Sequence, residues 1–188
     1  SMLLSSAINL LLSARSYASI TKLKLLVESD PKHIYDLNEA REKIRGFCLY
    51  RERSQQECRD KIYSYGFHSE AVESLISELI QERFLDEERF ARAFVRGKYS
   101  IKKWGRNKIK QALYPHHLSD YVLKKAFSEI DPEKYWENLE RLTEKRWPLT
   151  KGKDKYLRKQ KLRAYLQMRG YESDLVQEAI AAYLDMKE

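Results

Sequence analysis

Between Arg89 and Ser119 the chain carries nine cations and no carboxylate: Arg89, Arg92, Arg96, Lys98, Lys102, Lys103, Arg106, Lys108 and Lys110. A second run, from Lys145 to Arg163, sets Lys145, Arg146, Lys151, Lys153, Lys155, Arg158, Lys159, Lys161 and Arg163 against Asp154 alone. The chemistry open to such runs is neutralisation of a polyanion, because charges of one sign this dense repel each other until phosphates or carboxylates intervene. An ordinary solvated helix alternates signs to gain i,i+4 pairs, as residues 40–85 do with eight basic and eight acidic groups. The nine cations of the first run, with Lys151, Lys153, Lys155, Arg158, Lys159, Lys161 and Arg163, are therefore the candidate contacts to DNA. Tyr99 and Trp104 are the candidates for stacking on single-stranded bases, because the periodicity places them in a connector and off the apolar stripes. Tyr114, Tyr156 and Tyr165 also interleave the runs, but core packing is the commoner role of such aromatics.

Other chemistry is not encoded. There is no glycine-rich phosphate loop, no His-Glu-x-x-His and no Cys-x-x-Cys, so no enzyme, no cofactor and no metal are expected. His116-His117 is the one histidine pair, and it reads as a solvated turn. Cys48 and Cys58 fall on apolar helix stripes and read as buried structural thiols; one pair makes no disulfide framework and points to a reducing compartment. Asp86, Glu87 and Glu88 sit where a helix begins, and its dipole accounts for them. The apolar run Met2–Leu12 has no Lys or Arg before it and is shorter than the roughly 20 residues that span a bilayer. A cytoplasmic protein with no membrane partner is expected.

These side chains must be positioned by a repeat. Cys58, Ile62, Phe67, Val72 and Ile76 align with Ile109, Leu113, Leu118, Leu123 and Phe127 at a constant offset, and again with Leu162, Leu166, Tyr171, Val176 and Ile180. Apolar residues at i and i+4, a break, then i and i+4 describe two amphipathic helices joined by a tight turn. Gly66, His117 and Gly170 fall at the turn, where a left-handed residue ends the first helix; His117 makes the middle turn less regular. A further helix precedes each pair, near 39–52, 87–99 and 132–146, with Asp86 as one N-cap. Ser54-Gln55-Gln56-Glu57 is a capping box, and Gly105 and Arg158 take the place of Ser54 in the later copies. In the middle copy Arg106 and Lys110 border the apolar stripe on one side and Lys108 on the other. Lys102 and Lys103 extend that patch if the helix begins before Gly105. Trp147-Pro148 through Lys153 reads as a loop.

The implied fold is all-α, three tandem three-helix repeats in an elongated, curved array. Residues 1–38 form an N-terminal extension, read as helical, and the repeats occupy 39–85, 86–130 and 131–188. In a chain of 188 residues, 43% hydrophobic, with only 6 Gly and 4 Pro, turn-rich β architectures are excluded. The formal net charge of +8 divides unevenly. It is zero over 1–39 and over 40–85, +6 over 86–130 (eleven basic, five acidic) and +2 over 131–188 (thirteen basic, eleven acidic).

Four segments resemble the RecX family, regulators of the bacterial recombinase RecA. Phe84-Leu85-Asp86-Glu87-Glu88-Arg89-Phe90-Ala91-Arg92-Ala93-Phe94-Val95-Arg96 is similar to the family's opening of its second repeat. Gly105-Arg106-Asn107-Lys108-Ile109-Lys110-Gln111-Ala112-Leu113 resembles the helix that follows. Arg51-Glu52-Arg53-Ser54-Gln55-Gln56-Glu57 resembles the capped start in repeat one. Lys161 through Tyr171, with Gly170 at the turn, resembles the third-repeat helix. The family often has proline at the position of Arg106 and glycine at that of His117, and residues 1–37 have no clear counterpart. The resemblance implies a monomeric regulator of DNA recombination and repair whose partners are the RecA filament and single- and double-stranded DNA. Family members usually inhibit RecA's ATPase and strand exchange. The alternative from charge and helical units alone is a helix-turn-helix-like or non-specific DNA-binding protein acting without RecA.

Overall fold

The structure, a computed structural model, describes residues 35–187. The reading of residues 1–38 as a helical extension lies almost wholly outside them. The described residues hold nine α-helices and no strand. They are α1 (Leu37–Tyr50), α2 (Gln55–Ser64), α3 (Ser69–Gln81), α4 (Glu87–Ser100), α5 (Arg106–Leu113), α6 (Asp120–Phe127), α7 (Pro132–Arg146), α8 (Lys155–Met168) and α9 (Ser173–Asp185), with a 3-10 turn at Tyr114–His116 between α5 and α6. They fall into three successive triplets, a helical repeat array.

Local chemistry explains the starts. Ser54 accepts from the Glu57 N–H while the Glu57 side chain accepts from the Ser54 N–H, which closes the capping box of α2. Asp86 caps α4 through the Arg89 N–H, and Ser119 caps α6 through the Val122 N–H. Asp131 accepts from Glu133 and Lys134 ahead of α7, with Pro132 at the first helical position. The start of the third triplet's second helix departs from the repeat alignment. Arg158 is not its cap; Asp154 is, accepting from the Leu157 N–H, so α8 begins a turn earlier than the other copies predict.

The three turns share a left-handed residue, but the middle one is less regular, since the 3-10 segment Tyr114–His116 precedes it. Gly66 and Gly170 have φ of 95° and 93°, and His117 adopts the left-handed region at 53°. Gly105 is the N-cap of α5. The helix therefore does not begin before it, and Lys102 and Lys103 lie in the α4–α5 connector, Lys103 with φ of 53°.

In the first triplet the buried stripe is Ala40, Ile44 and Cys48 of α1 against Cys58, Ile62, Val72, Leu75, Ile76 and Leu79. Arg41 on α1 is bonded to Glu78 on α3 at 2.6 Å, and Arg45 to Glu82 at 2.9 Å. In the second triplet α4 packs along α6, and Arg92 reaches Glu129 at 2.6 Å, the same brace one repeat later. The buried side chains of the second and third triplets merge into one cluster. It includes Phe90, Val95, Ile109 and Leu113 from one triplet and Leu139, Leu162, Leu166 and Tyr171 from the next. A fully buried Leu or Ile contributes roughly 1.5–3 kcal/mol. Small triplets gain by sharing such a core.

Candidate nucleic-acid interface

The structure divides the sixteen candidate cations into those engaged inside the protein and those left at the surface. Arg89 is engaged: its Nε donates to Glu52 at 2.7 Å, and its guanidinium also donates to the carbonyls of Arg83 and Phe84. Arg92 bonds Glu88 and Glu129, and these carboxylates hold its guanidinium above the ordinary arginine range. Arg96 stands 3.7 Å from Glu129, with its side chain 63% exposed. Arg106 donates to Glu172 at 3.0 Å and lies 4.1 Å over the Tyr135 ring. Arg158 closes the α7–α8 loop, donating to the carbonyls of Thr150 and Trp147 and stacking 4.1 Å over the Trp147 ring. Arg163 is half-buried.

Tyr99 and Trp104, the expected stacking platforms, are placed differently. Tyr99 is 8% exposed and belongs to the apolar cluster; it continues the α4 stripe Ala91, Val95, Tyr99 at i+4 spacing. A ring sealed in the core cannot accept a base, which corrects that expectation. Trp104 is partly buried, with the Lys98 and Lys108 ammonium groups 4.8 and 4.9 Å from its ring. The Lys108 Nζ also donates to the Met168 carbonyl at 3.4 Å, and Lys161 to the Lys151 carbonyl at 3.0 Å.

The remaining lysines face outward. Lys102, Lys110, Lys151, Lys153, Lys155 and Lys159 are exposed, and Lys103 is half-buried. Lys102, Lys110, Lys151, Lys153 and Lys159 enter no ion pair among the described residues. Lys110 borders a groove of about 800 Å³ between α5 and the α8–α9 corner, shared with Asn107, Gln111, Tyr114, Gln167 and Ser173. Tyr114 is 82% exposed there, and Tyr156 on α8 is 70% exposed. These rings are better placed to stack on bases than Tyr99. Their signal in the sequence was position at a helix end or on a polar face, beside cations.

Sequence reasoning also missed Arg169. Its guanidinium donates to the carbonyls of Lys102 and Lys103, so the basic connector is fastened to the end of α8. Beside it the Gly105 N–H donates to the Arg169 carbonyl at 2.9 Å and the Asn107 N–H to the Gly170 carbonyl at 3.0 Å. The Tyr135 hydroxyl accepts from the Arg106 N–H and donates to Glu172 at 2.7 Å. Burial, aided by Glu172, pushes that phenol well above its ordinary range. His116, expected at a solvated turn, is half-buried instead. Its Nδ1 is 2.7 Å from Ser54 Oγ and its ring packs 4.9 Å from Phe90. Among the described residues no group of three His, Cys, Asp or Glu is placed to hold a metal, and no helix is long and apolar enough to cross a membrane.

Comparison with known proteins follows the repeat. Residues 86–126 match the family described as RecX, second three-helix domain, and residues 133–180 match RecX, third three-helix domain. The regulatory protein RecX of Prosthecochloris aestuarii is 30% identical over 145 residues, covering 77% of this chain and 93% of that protein. The regulatory protein RecX of Clostridium perfringens is 32% identical over 124 residues, 65% of this chain and 58% of that protein. The chain thus spans little more than half the length of that longer relative. The crystal structure of RecX from Lactobacillus salivarius superposes with a TM-score of 0.71 at 20% identity, covering 80% of this chain and 97% of that one. At that identity the likeness speaks for the fold.

Proposed function

The chain belongs to the RecX family of regulatory proteins, and from that premise we propose that it binds the RecA–DNA filament and lowers RecA's ATPase and strand-exchange activity. The observation that carries this reading is the division among the cations. Most arginines of the basic runs are spent on internal pairs and stacks, while Lys102, Lys110, Lys151, Lys153 and Lys159 are exposed. Exposed ammonium groups meet phosphates as point charges and release counterions on doing so. A succession of basic three-helix units touches several sites on a filament at once, and linked sites bind far more tightly than single ones.

The decisive measurement is RecA's DNA-dependent ATP hydrolysis with increasing amounts of this protein. A fall in rate near stoichiometry is expected, and an unchanged rate at excess overturns the reading. The DNA contribution is read separately from the salt dependence of binding. Replacing Lys151, Lys153 and Lys159 by Gln should flatten the log–log slope by up to about one unit per lost phosphate contact, whereas Arg92→Gln should leave it nearly unchanged. A footprint on one duplex sequence without RecA would favour the helix-turn-helix alternative.

A further inference from the structure

The first triplet contains a pair of thiols that the proposed filament chemistry does not use. Cys48, in the last turn of α1, and Cys58, in the first turns of α2, have their sulfur atoms 3.5 Å apart, and both are free and buried. The repeat shows that packing does not call for this pair. One repeat later the same two positions are Tyr99 and Ile109, large apolar side chains of the common core. Only the first triplet replaces that bulk with two facing sulfurs.

We propose that Cys48 and Cys58 form a reversible dithiol–disulfide site, oxidised by hydroperoxides and reset by small thiols. The two sulfurs are inequivalent. Cys48 retains 8% exposure and Cys58 none, so an oxidant reaches Cys48 first. The hydrogen bond from Cys58 holds the Cys48 thiol below its ordinary range, with Arg53 adding positive potential, while Cys58 is held well above it. The Cys48 thiolate attacks the peroxide, the O–O bond breaks, and protonation releases one water, leaving a sulfenic acid. The Cys58 sulfur then attacks the Cys48 sulfur. The S–O bond breaks, the Cys58 proton leaves with the oxygen as a second water, and the disulfide forms. Overall two thiols lose two electrons and two protons, and one hydrogen peroxide becomes two waters. A reducing thiolate reverses the process by attacking one sulfur of the bond.

The site lies where its state is felt by the next triplet. The segment between the two cysteines carries Glu52, bonded to Arg89, and Ser54, bonded to His116. A covalent bridge from Cys48 to Cys58 closes the loop that holds both.

The test uses the whole chain, treated with hydrogen peroxide, quenched, unfolded and alkylated with iodoacetamide. Intact mass should show loss of both alkylatable thiols in a single chain, a mass lower by two hydrogens, and full recovery after dithiothreitol. Two thiols still open to alkylation, disulfides formed only between chains, or direct passage to sulfinic acid would each overturn the proposal. The order of events is read from Cys58→Ala, which should give a dimedone adduct at Cys48, and Cys48→Ala, which should leave Cys58 unmodified at the same dose. The reverse pattern refutes the assignment of Cys48 as the attacking thiol. Far-ultraviolet circular dichroism checks that both variants are folded, and the wild-type mass stands whether or not they are.

Discussion

The junction between the first and second triplets and that between the second and third occupy equivalent places in the repeat, yet at the N-cap position they are closed by different chemistry. In the first, the N-cap side chain of α2, Ser54, meets a side chain at the turn of the next triplet, His116, and Glu52 pairs with Arg89. In the second, the N-cap of α5 is Gly105, and it meets Arg169 and Gly170 backbone to backbone. An apolar cluster runs across this second junction without a break. The comparison teaches that one repeat geometry admits two kinds of closure. A side-chain closure responds to protonation and to changes in neighbouring groups. A backbone closure leaves no room for variation, because an added Cβ has nowhere to go.

The comparison can be broken by substitution. The largest effect is expected for Gly105→Ala, whose Cβ would stand 2.1 Å from the Gly170 carbonyl carbon. Overpacking of this kind costs about 3 kcal/mol and should lower the thermal midpoint by about 6–12 °C. Ser54→Ala at the equivalent position should cost less, about 1–2 kcal/mol, the worth of a lost cap and a lost side-chain bond. Equilibrium denaturation of both variants ranks them, and a Ser54→Ala loss exceeding that of Gly105→Ala would refute the contrast.

Protonation sharpens the comparison with a smaller effect. Burial holds His116 below its ordinary pKa, outweighing Glu57, while Arg51 and His117 add to the lowering and Asp60 opposes it. Ser54 Oγ already accepts the Glu57 N–H, so its proton is best placed on a neutral Nδ1. The folded state thus binds protons less readily than the unfolded state. The contribution of His116 is fully present above its unfolded pKa, about 6.5, and declines as pH falls through the folded value. The thermal midpoint followed from pH 7.5 to 5 should fall in the wild type, and His116→Gln should flatten that slope. The smallest effect belongs to Arg89→Gln. A partly exposed pair of this kind contributes about 0.2–1 kcal/mol, and added salt should abolish even that difference.

Much of the fold was legible because its signals are local. Asp86 and Ser54 announce helix starts through hydrogen bonds that span three residues, and apolar spacing of i and i+4 names the inward face. The local signal departs from the repeat alignment at two places. The alignment puts Arg158 in the place of Ser54, yet Asp154 caps α8 one turn earlier, and Tyr99 extends the α4 stripe into the core instead of lying in a connector. The candidate interface was less legible. Nothing near Arg92 in the sequence reveals Glu129, nothing near Arg106 reveals Glu172, and Arg169 lies 67 residues from Lys102.

The sequence by itself determined that the chain is a tandem helical repeat, that its basic charge is concentrated after residue 85, and which family it resembles. Each of these follows from residue type and spacing within a helix or within one repeat. Tertiary structure alone decided which cations are available to a polyanion, which aromatic rings face solvent, that His116 and Arg169 occupy junctions, and that the two buried thiols face each other. An arginine is neutralised by whichever carboxylate the packing brings within about 3 Å, and packing joins residues whose separation along the chain carries no local signal.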